Sequence, residues 1–225
     1  MKKYLIPLFL LFSLFFMLLG CGENPLDNIL ENYLKNSSSS GNDLSLGLVP
    51  NTIIPDDIKS SVEAKMPIHS GTTPPDISGQ YIASRMILIG SSLNGDRDTI
   101  LAGGGHFADL YIVFTEKANK MYYRAKEITQ EGEVASGNSD DINVEVVGES
   151  NNFTAYFIEE GQTEGIRTKR SVVISGTMTS IGIKDFYYSF ISLEKGPDPQ
   201  NKLVPVKTYR VFKDSDGLAE KYDWF

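Results

Sequence analysis

Cysteine is nearly absent from this chain of 225 residues: Cys21 stands alone. An intramolecular disulfide is therefore excluded, and whatever folds must hold together by core burial. Histidine is almost as scarce, with His69 and His106 far apart in sequence. A zinc site would need carboxylates gathered around one histidine by the fold, and no local spacing announces it. No Gly-x-Ser-x-Gly elbow accompanies His106, so no serine nucleophile is marked. Gly103-Gly104-Gly105 is not followed by the Lys-Ser/Thr pair of a phosphate loop and reads as a strand connection. Basic charge is short as well, with 21 Lys and Arg against 29 Asp and Glu. Such a surface is a poor partner for nucleic acid. No cofactor, metal or catalytic residue is expected.

One long apolar run is present. Lys2 and Lys3 precede Tyr4–Leu19, interrupted only by Pro7 and Ser13. This is the layout of a secretory signal, too short and wrongly flanked for a membrane-spanning helix. The run ends in Leu18-Leu19-Gly20-Cys21, which resembles the lipobox of bacterial lipoproteins. The resemblance implies that residues 1–20 are a signal peptide removed before Cys21. It also implies that the Cys21 thiol takes a diacylglyceryl group and that the freed amine is acylated, palmitate being the implied fatty acid. Each buried methylene contributes roughly 0.8 kcal/mol, so two or three chains hold a protein on a membrane where one holds it marginally. Removing the signal takes two of the 21 basic side chains and none of the 29 acids, moving the net charge from −8 to −10. Gly22 and Glu23 lack the aspartate after the cysteine that marks inner-membrane retention in enteric lipoproteins. The implied address is the cell envelope, at the outer membrane, with its periplasmic or surface face open.

Residues 21–76 are rich in Ser, Asn, Pro, Gly and Asp, with Asn36–Asp43 (NSSSSGND) of low complexity. Such composition cannot bury enough apolar surface to offset ordering, so a mostly disordered tether is expected after the lipidated Cys21. As a flexible chain it would span roughly 40 Å. Two short helices are possible within it. Pro25 can open one carrying Leu26, Ile29, Leu30, Tyr33 and Leu34, suited to lying on a bilayer or packing on the domain. Pro55 can open a second carrying Ile58, Val62 and Met66.

From Ile77 to Phe225 alternation of period two replaces helical periodicity. Strands are expected at Ile82–Gly90, Arg97–Ala102 after an Asn94-Gly95 turn, Phe107–Glu116 and Lys120–Ile128. A polar loop over Glu131–Asp141 precedes Ile142–Val146, Phe153–Glu159, Ile166–Thr179 with a bend at Gly176, Ile183–Leu193 and Thr208–Phe212. The fold class is all-β. About eight antiparallel strands suit an up-and-down β-barrel, with a β-sandwich as the alternative. Gly79-Gln80-Tyr81 resembles the Gly-x-Trp that begins lipocalins, with Tyr81 in place of Trp. That likeness implies a lipocalin-like barrel in which Arg210 supplies the basic residue packed against the aromatic. The domain as a whole is similar to lipoproteins of Gram-negative bacteria, which implies location and not activity.

Asp214-Ser215-Asp216-Gly217 has the first acids and the glycine of a calcium loop but lacks its later ligands. Asp96 and Asp98 are incomplete in the same way. Glu159-Glu160 offers half of a glycosidase pair, whose chemistry depends on a separation the sequence does not give. Tyr111, Tyr122, Tyr123, Tyr156, Tyr187 and Tyr188 are the positive hint: inside a barrel they would stack on an apolar or glycan ligand, although strand propensity and packing also account for them. No individual ligand-binding residue is assigned. Three functions stay open. One is a non-catalytic binding module for a small apolar or glycan ligand, joined to the membrane through Cys21. Another is a structural or interaction lipoprotein contacting other envelope proteins or the wall, and the third is a hydrolase of envelope polymers with acids converging in a cleft.

Overall fold

The computed structural model describes residues 53–96, 107–128, 132, 134–163 and 165–223. Cys21, the helix expected after Pro25, the strand expected at Arg97–Ala102, Gly103–Gly105 and His106 lie outside them. The described chain is one helix, α1 (Asp56–Glu63), and eleven strand segments: β1 (Thr72–Thr73), β2 (Gly79–Ala83), β3 (Ile87–Ser91), β4 (Asp109–Lys117), β5 (Lys120–Ile128), β6 (Val134–Glu149), β7 (Asn152–Thr163), β8 (Ile166–Met178), β9 (Gly182–Lys195), β10 (Tyr209–Lys213) and β11 (Leu218–Lys221).

From β4 to β9 each strand pairs antiparallel with the next in chain order. Closure comes from two bent strands. β2 and β3 are the halves of the first, broken at Arg85, whose φ is +51°. Asp109 Oδ1 accepts the Arg85 backbone N–H at 2.8 Å and holds the break in place. β10 and β11 are the halves of the last strand. Both pair with β9, while β10 also pairs with β3 and β11 with β2. With each bent pair taken as one strand, the sheet is a closed antiparallel barrel of eight strands. That decides for the barrel over the sandwich.

Inward-facing side chains follow the alternation. Ile112 and Phe114 of β4, Tyr123 of β5, Phe153 and Phe157 of β7, and Phe186 of β9 belong to one buried cluster. Aromatic contacts link it: Tyr81 to Phe114 with ring centroids 6.4 Å apart, Phe114 to Tyr123 at 5.7 Å, Tyr123 to Phe157 at 4.3 Å. These fill the end of the barrel at which β2 begins. Tyr81 turns its hydroxyl back to the carbonyls of Ile77 and Ser78, both at 3.1 Å. It does not meet Arg210, which pairs with Asp96 beside the far end of β3. The aromatic–basic contact expected from the lipocalin likeness is therefore not formed, because Tyr81 lies ten positions along the bent first strand from Ser91, the register partner of Arg210.

Several strands are apolar outward as well. Tyr156, Val173, Ile191 and Val211 form a second buried cluster with Ile53, Ile54, Ile58, Val62 and Met66. So the stretch from Ile53 onward, read by composition as tether, packs on the barrel wall. The Pro55 helix forms as expected, and it buries Ile58 and Val62. Lys207 Nζ bonds Asp57 at 2.8 Å, and the His69 N–H bonds Thr154 Oγ1 at 2.7 Å. β1 then adds in parallel to β6. Gly71 is required just before it, since its φ is +136° and a Cβ there would lie 2.3 Å from the Gly148 carbonyl oxygen.

The loop expected over Glu131–Asp141 is corrected too: β6 starts at Val134 and its first half pairs with β5 from Ala125 to Ile128. Backbone pairing on a closed sheet overrides polar composition there. The bend expected at Gly176 is present as a register shift between Ser175 and Thr177, where a Cβ would meet Ile183 at 2.4 Å.

Ile54 is 1 % exposed although it precedes the barrel by more than twenty residues. Truncating a buried aliphatic side chain of this kind costs roughly 2–5 kcal/mol. We expect Ile54→Ala to lower the stability of the full chain by about 2–4 kcal/mol in urea denaturation. A loss under about 0.5 kcal/mol, the range of ordinary surface positions, would show that the segment does not pack on the barrel.

Candidate functional site

Opposite the filled end the barrel interior opens into a cavity of about 300 Å³. At liquid density this is room for about ten waters. Its walls come from the ends of β5, β7 and β9, the starts of β4, β8 and β10, and the loop after β9. One side is an aromatic cluster around Phe212. Phe107 meets it edge-on at 4.6 Å, and Tyr188 and Phe190 lie at 6.1 and 6.2 Å. Met86 and Leu110 extend this apolar wall, and Leu203 and Val204 contribute from the loop.

The polar groups are few and mostly paired. Arg170 is an inward residue of β8, on the same side as Val172 and Ile174. Its Nη2 lies 2.5 Å from Glu159 Oε2, both side chains being largely buried. Its guanidinium carbon lies 5.5 Å from the Phe190 ring centre, in cation–π range. Its Nε is buried without a hydrogen-bond partner. Burial disfavours the Arg170 charge, but Tyr188, Glu159 and Glu127 outweigh it and raise its pKa further. Burial also raises the Tyr188 hydroxyl well above its ordinary value, reinforced by Glu159, so Tyr188 remains a neutral donor.

Nearer the opening, Arg210 grips Asp96 through Nε at 2.8 Å and Nη2 at 2.7 Å. Burial opposes the Asp96 charge, yet the bonds from Arg210 and Ser91 hold its pKa below the usual carboxylate range. Asp198 accepts the backbone N–H groups of Leu203 and Lys202 and the Lys195 ammonium. The Leu203 bond is the largest cause of a pKa pulled down to about 2, against some burial. That carboxylate shapes the loop that brings Leu203 and Val204 to the cavity.

Of the six tyrosines picked out in sequence, Tyr188 lines the cavity and Tyr123 lies in the filled core. Tyr156 and Tyr187 face outward into the cluster covered by residues 53–66. Tyr111 stacks edge-on with Tyr222, and Tyr122 lies under Lys117. Glu159 reaches the site, but its partner is Arg170 rather than a second acid; Glu160 pairs outside with Lys169 at 3.0 Å. Reasoning from sequence missed Arg170 and Glu127. A signal existed, since each continues the inward parity of its strand as a charge on an otherwise apolar face. Among the described residues no three His, Cys, Asp or Glu side chains gather to hold a metal. Comparison with protein-family models, curated proteins and solved structures gave no match. The reading of the site therefore stands on its own geometry.

The calcium-like Asp214–Gly217 segment is the kink between β10 and β11. Asp214 Oδ1 accepts the N–H groups of Asp216 and Gly217 at 3.1 and 3.2 Å, while Oδ2 is buried without a partner. Burial, reinforced by Asp216, raises the Asp214 pKa to about 7. A carboxyl whose folded pKa is raised binds its proton more tightly folded than unfolded. Stability is then fullest below pH 4 and falls as pH rises toward 7. Other carboxylates act in the opposite sense at lower pH, so the clean readout is the difference between chains. We expect Asp214→Asn to gain melting temperature relative to the parent as pH rises from 4 to 7, and to hold a gain of a few degrees at pH 8. A difference that does not vary with pH would mean that Asp214 is already ionised in the folded chain at pH 4.

Proposed function

We propose that this chain is a lipid-anchored envelope protein whose barrel is a non-catalytic binding module for a small ligand. The observation that carries this reading is the cavity. One end of the barrel is packed solid with aromatic side chains, while the other keeps about 300 Å³ open between an aromatic wall and the side chains of Arg170 and Glu127. A concave, mostly apolar space with a few placed polar groups is the usual form of a small-molecule site, and this volume is at the lower edge of the range. A protein that only braces other envelope components would gain nothing from leaving such a space unfilled, since each missing contact forfeits packing energy.

The interaction reading calls for a broad exposed apolar patch. Among the described residues the large apolar side chains exposed to solvent are Ile181, Val206 and Tyr222. The hydrolase reading calls for two acids flanking a bond, and the two acids at this cavity both serve one guanidinium: Glu159 is bound to Arg170, and Glu127 raises the Arg170 pKa alongside it. For the anchor, support comes from the order of Lys2, Lys3, the apolar run and Leu18–Cys21. Among the described residues no helix is long and apolar enough to cross a membrane.

The full chain, purified from native membranes and released into the gas phase from nanodiscs, should part from a small molecule of defined mass. Ser192→Phe, which places a ring in the cavity, should abolish that release while leaving the melting temperature within a few degrees. Reproducible absence of any released mass, with no uptake of added small aromatics, would remove the binding reading and favour the interaction protein. For the anchor, Cys21→Ser should move the chain from the detergent phase to the aqueous phase in a cloud-point partition. Unchanged partition would overturn lipidation at Cys21.

A further inference from the structure

The charges around the cavity balance in sum. Among the described residues, Arg170, Lys195, Lys202 and Arg210 line it. Glu159 holds Arg170, Asp198 holds Lys195, and Asp96 holds Arg210 through two bonds. That leaves Lys202 and Glu127 as one further lining charge of each sign, Glu127 acting on Arg170 as well. A ligand bearing a full charge would enter an enclosure with no surplus of the opposite sign and would leave its hydration behind, which is strongly unfavourable. What the interior does offer is hydrogen bonding. The Glu127 carboxylate can accept, whereas the Arg170 Nε is buried out of reach of the open space. The hydroxyls of Thr163, Thr168 and Ser192 add groups of either kind.

Size sets a second limit. About 300 Å³ holds a single ring with a short substituent, whereas a long acyl chain at roughly the volume of one water per methylene would exceed it. The aromatic wall around Phe212 suits a flat apolar body. Resting on the binding reading above, we infer that the barrel selects a compact, uncharged amphiphile: a flat or short apolar body ending in one group that both donates and accepts hydrogen bonds, such as an amide or alcohol. Fatty acids, organic anions and amines are disfavoured by the same enclosure.

Three nearly isosteric probes separate the possibilities: benzamide, benzoate and benzamidinium, with palmitate as a length control. Binding to the full chain in nanodiscs would be read by saturation-transfer NMR at pH 7, against empty nanodiscs and the Ser192→Phe chain. Benzamide should bind at least tenfold more tightly than either charged probe, in a manner lost in Ser192→Phe, and palmitate should not compete with it. Glu127→Gln removes one carboxylate from the balance and should raise benzoate affinity about tenfold relative to benzamide. Equal or tighter binding of benzoate, benzamidinium or palmitate within the cavity would overturn the uncharged class and leave the binding module standing. No cavity-dependent signal from any probe at millimolar concentration would overturn both.

Discussion

Closure of the barrel between its first and last strands is the constraint on which the rest of this structure depends. A twisted sheet of eight strands left open would carry two unpaired edges, each a template for association. Here β11 bonds to both β2 and β9, and β10 bonds to both β3 and β9, so the edges meet. The two strands that meet must each bend to do so. The backbone at Arg85 takes positive φ in one, and the Asp214–Gly217 turn kinks the other. Asp214 is buried at that kink because the joint leaves it nowhere else to go. Its backbone N–H bonds Phe186 O, and the Phe186 N–H bonds Gly217 O. A carboxyl with a raised pKa at the joint is thus a consequence of closing the sheet, and a calcium loop is not needed to explain those acids.

Closure also explains the outer strap. A barrel wall has two faces, and with no disulfide available the chain buries both where it can. The inward face of β7–β10 builds the core and the cavity. The outward face presents Tyr156, Val173, Ile191 and Val211, which would be exposed were the chain to begin at the barrel. Residues 53–66 cover them. Each aliphatic side chain so buried contributes roughly 1.5–3 kcal/mol before ordering entropy is subtracted, enough to hold a short segment of weak intrinsic helix propensity in place.

Period-two alternation made the strands readable because half-buried strands write their two faces into the sequence. Alternation separates Met121, Tyr123 and Ala125 from Tyr122, Arg124 and Lys126 in β5, whereas β4 is apolar on both sides and Val172-Val173-Ile174 of β8 is buried on both faces. Three things escaped because they are properties of the closed sheet rather than of any segment. The polar stretch from Val134 is a strand through its partner β5, not through its composition. The four residues Leu218–Lys221 are too short to carry a pattern and are strand because they complete the ring. Of the strap, the Pro55 helix with Ile58 and Val62 was legible, but its packing on the barrel follows only from the apolar outer wall. For the site, tyrosine positions were a weak signal, although the cavity wall is aromatic. Tyrosine fits a pleated surface on either face, so only one of six candidates reached the cavity. A charge at an inward position is rarer and more telling, and Arg170 and Glu127 both satisfy that test.

Why a barrel able to pack itself solid at one end stays open at the other is then a question about charge. Filling the cavity with larger apolar residues would have replaced Arg170 and Glu159 by a drier core, a change that is commonly neutral or stabilising. A buried ion pair is therefore weak evidence for stability and better evidence for a demand on geometry. Glu159 orients the guanidinium, and the Phe190 ring supports its face. The Nε itself is buried without a partner, and an unmet buried donor costs on the order of 1–3 kcal/mol. That cost is borne beside an open space lined by Thr163, Thr168 and Ser192 on its polar side and by the Phe212 cluster on its apolar side. Water can bond the hydroxyls without selectivity. A ligand that also covers the aromatic wall adds the hydrophobic term and brings no charge to an already balanced site, so the unfilled interior favours a partner of matching shape and no net charge.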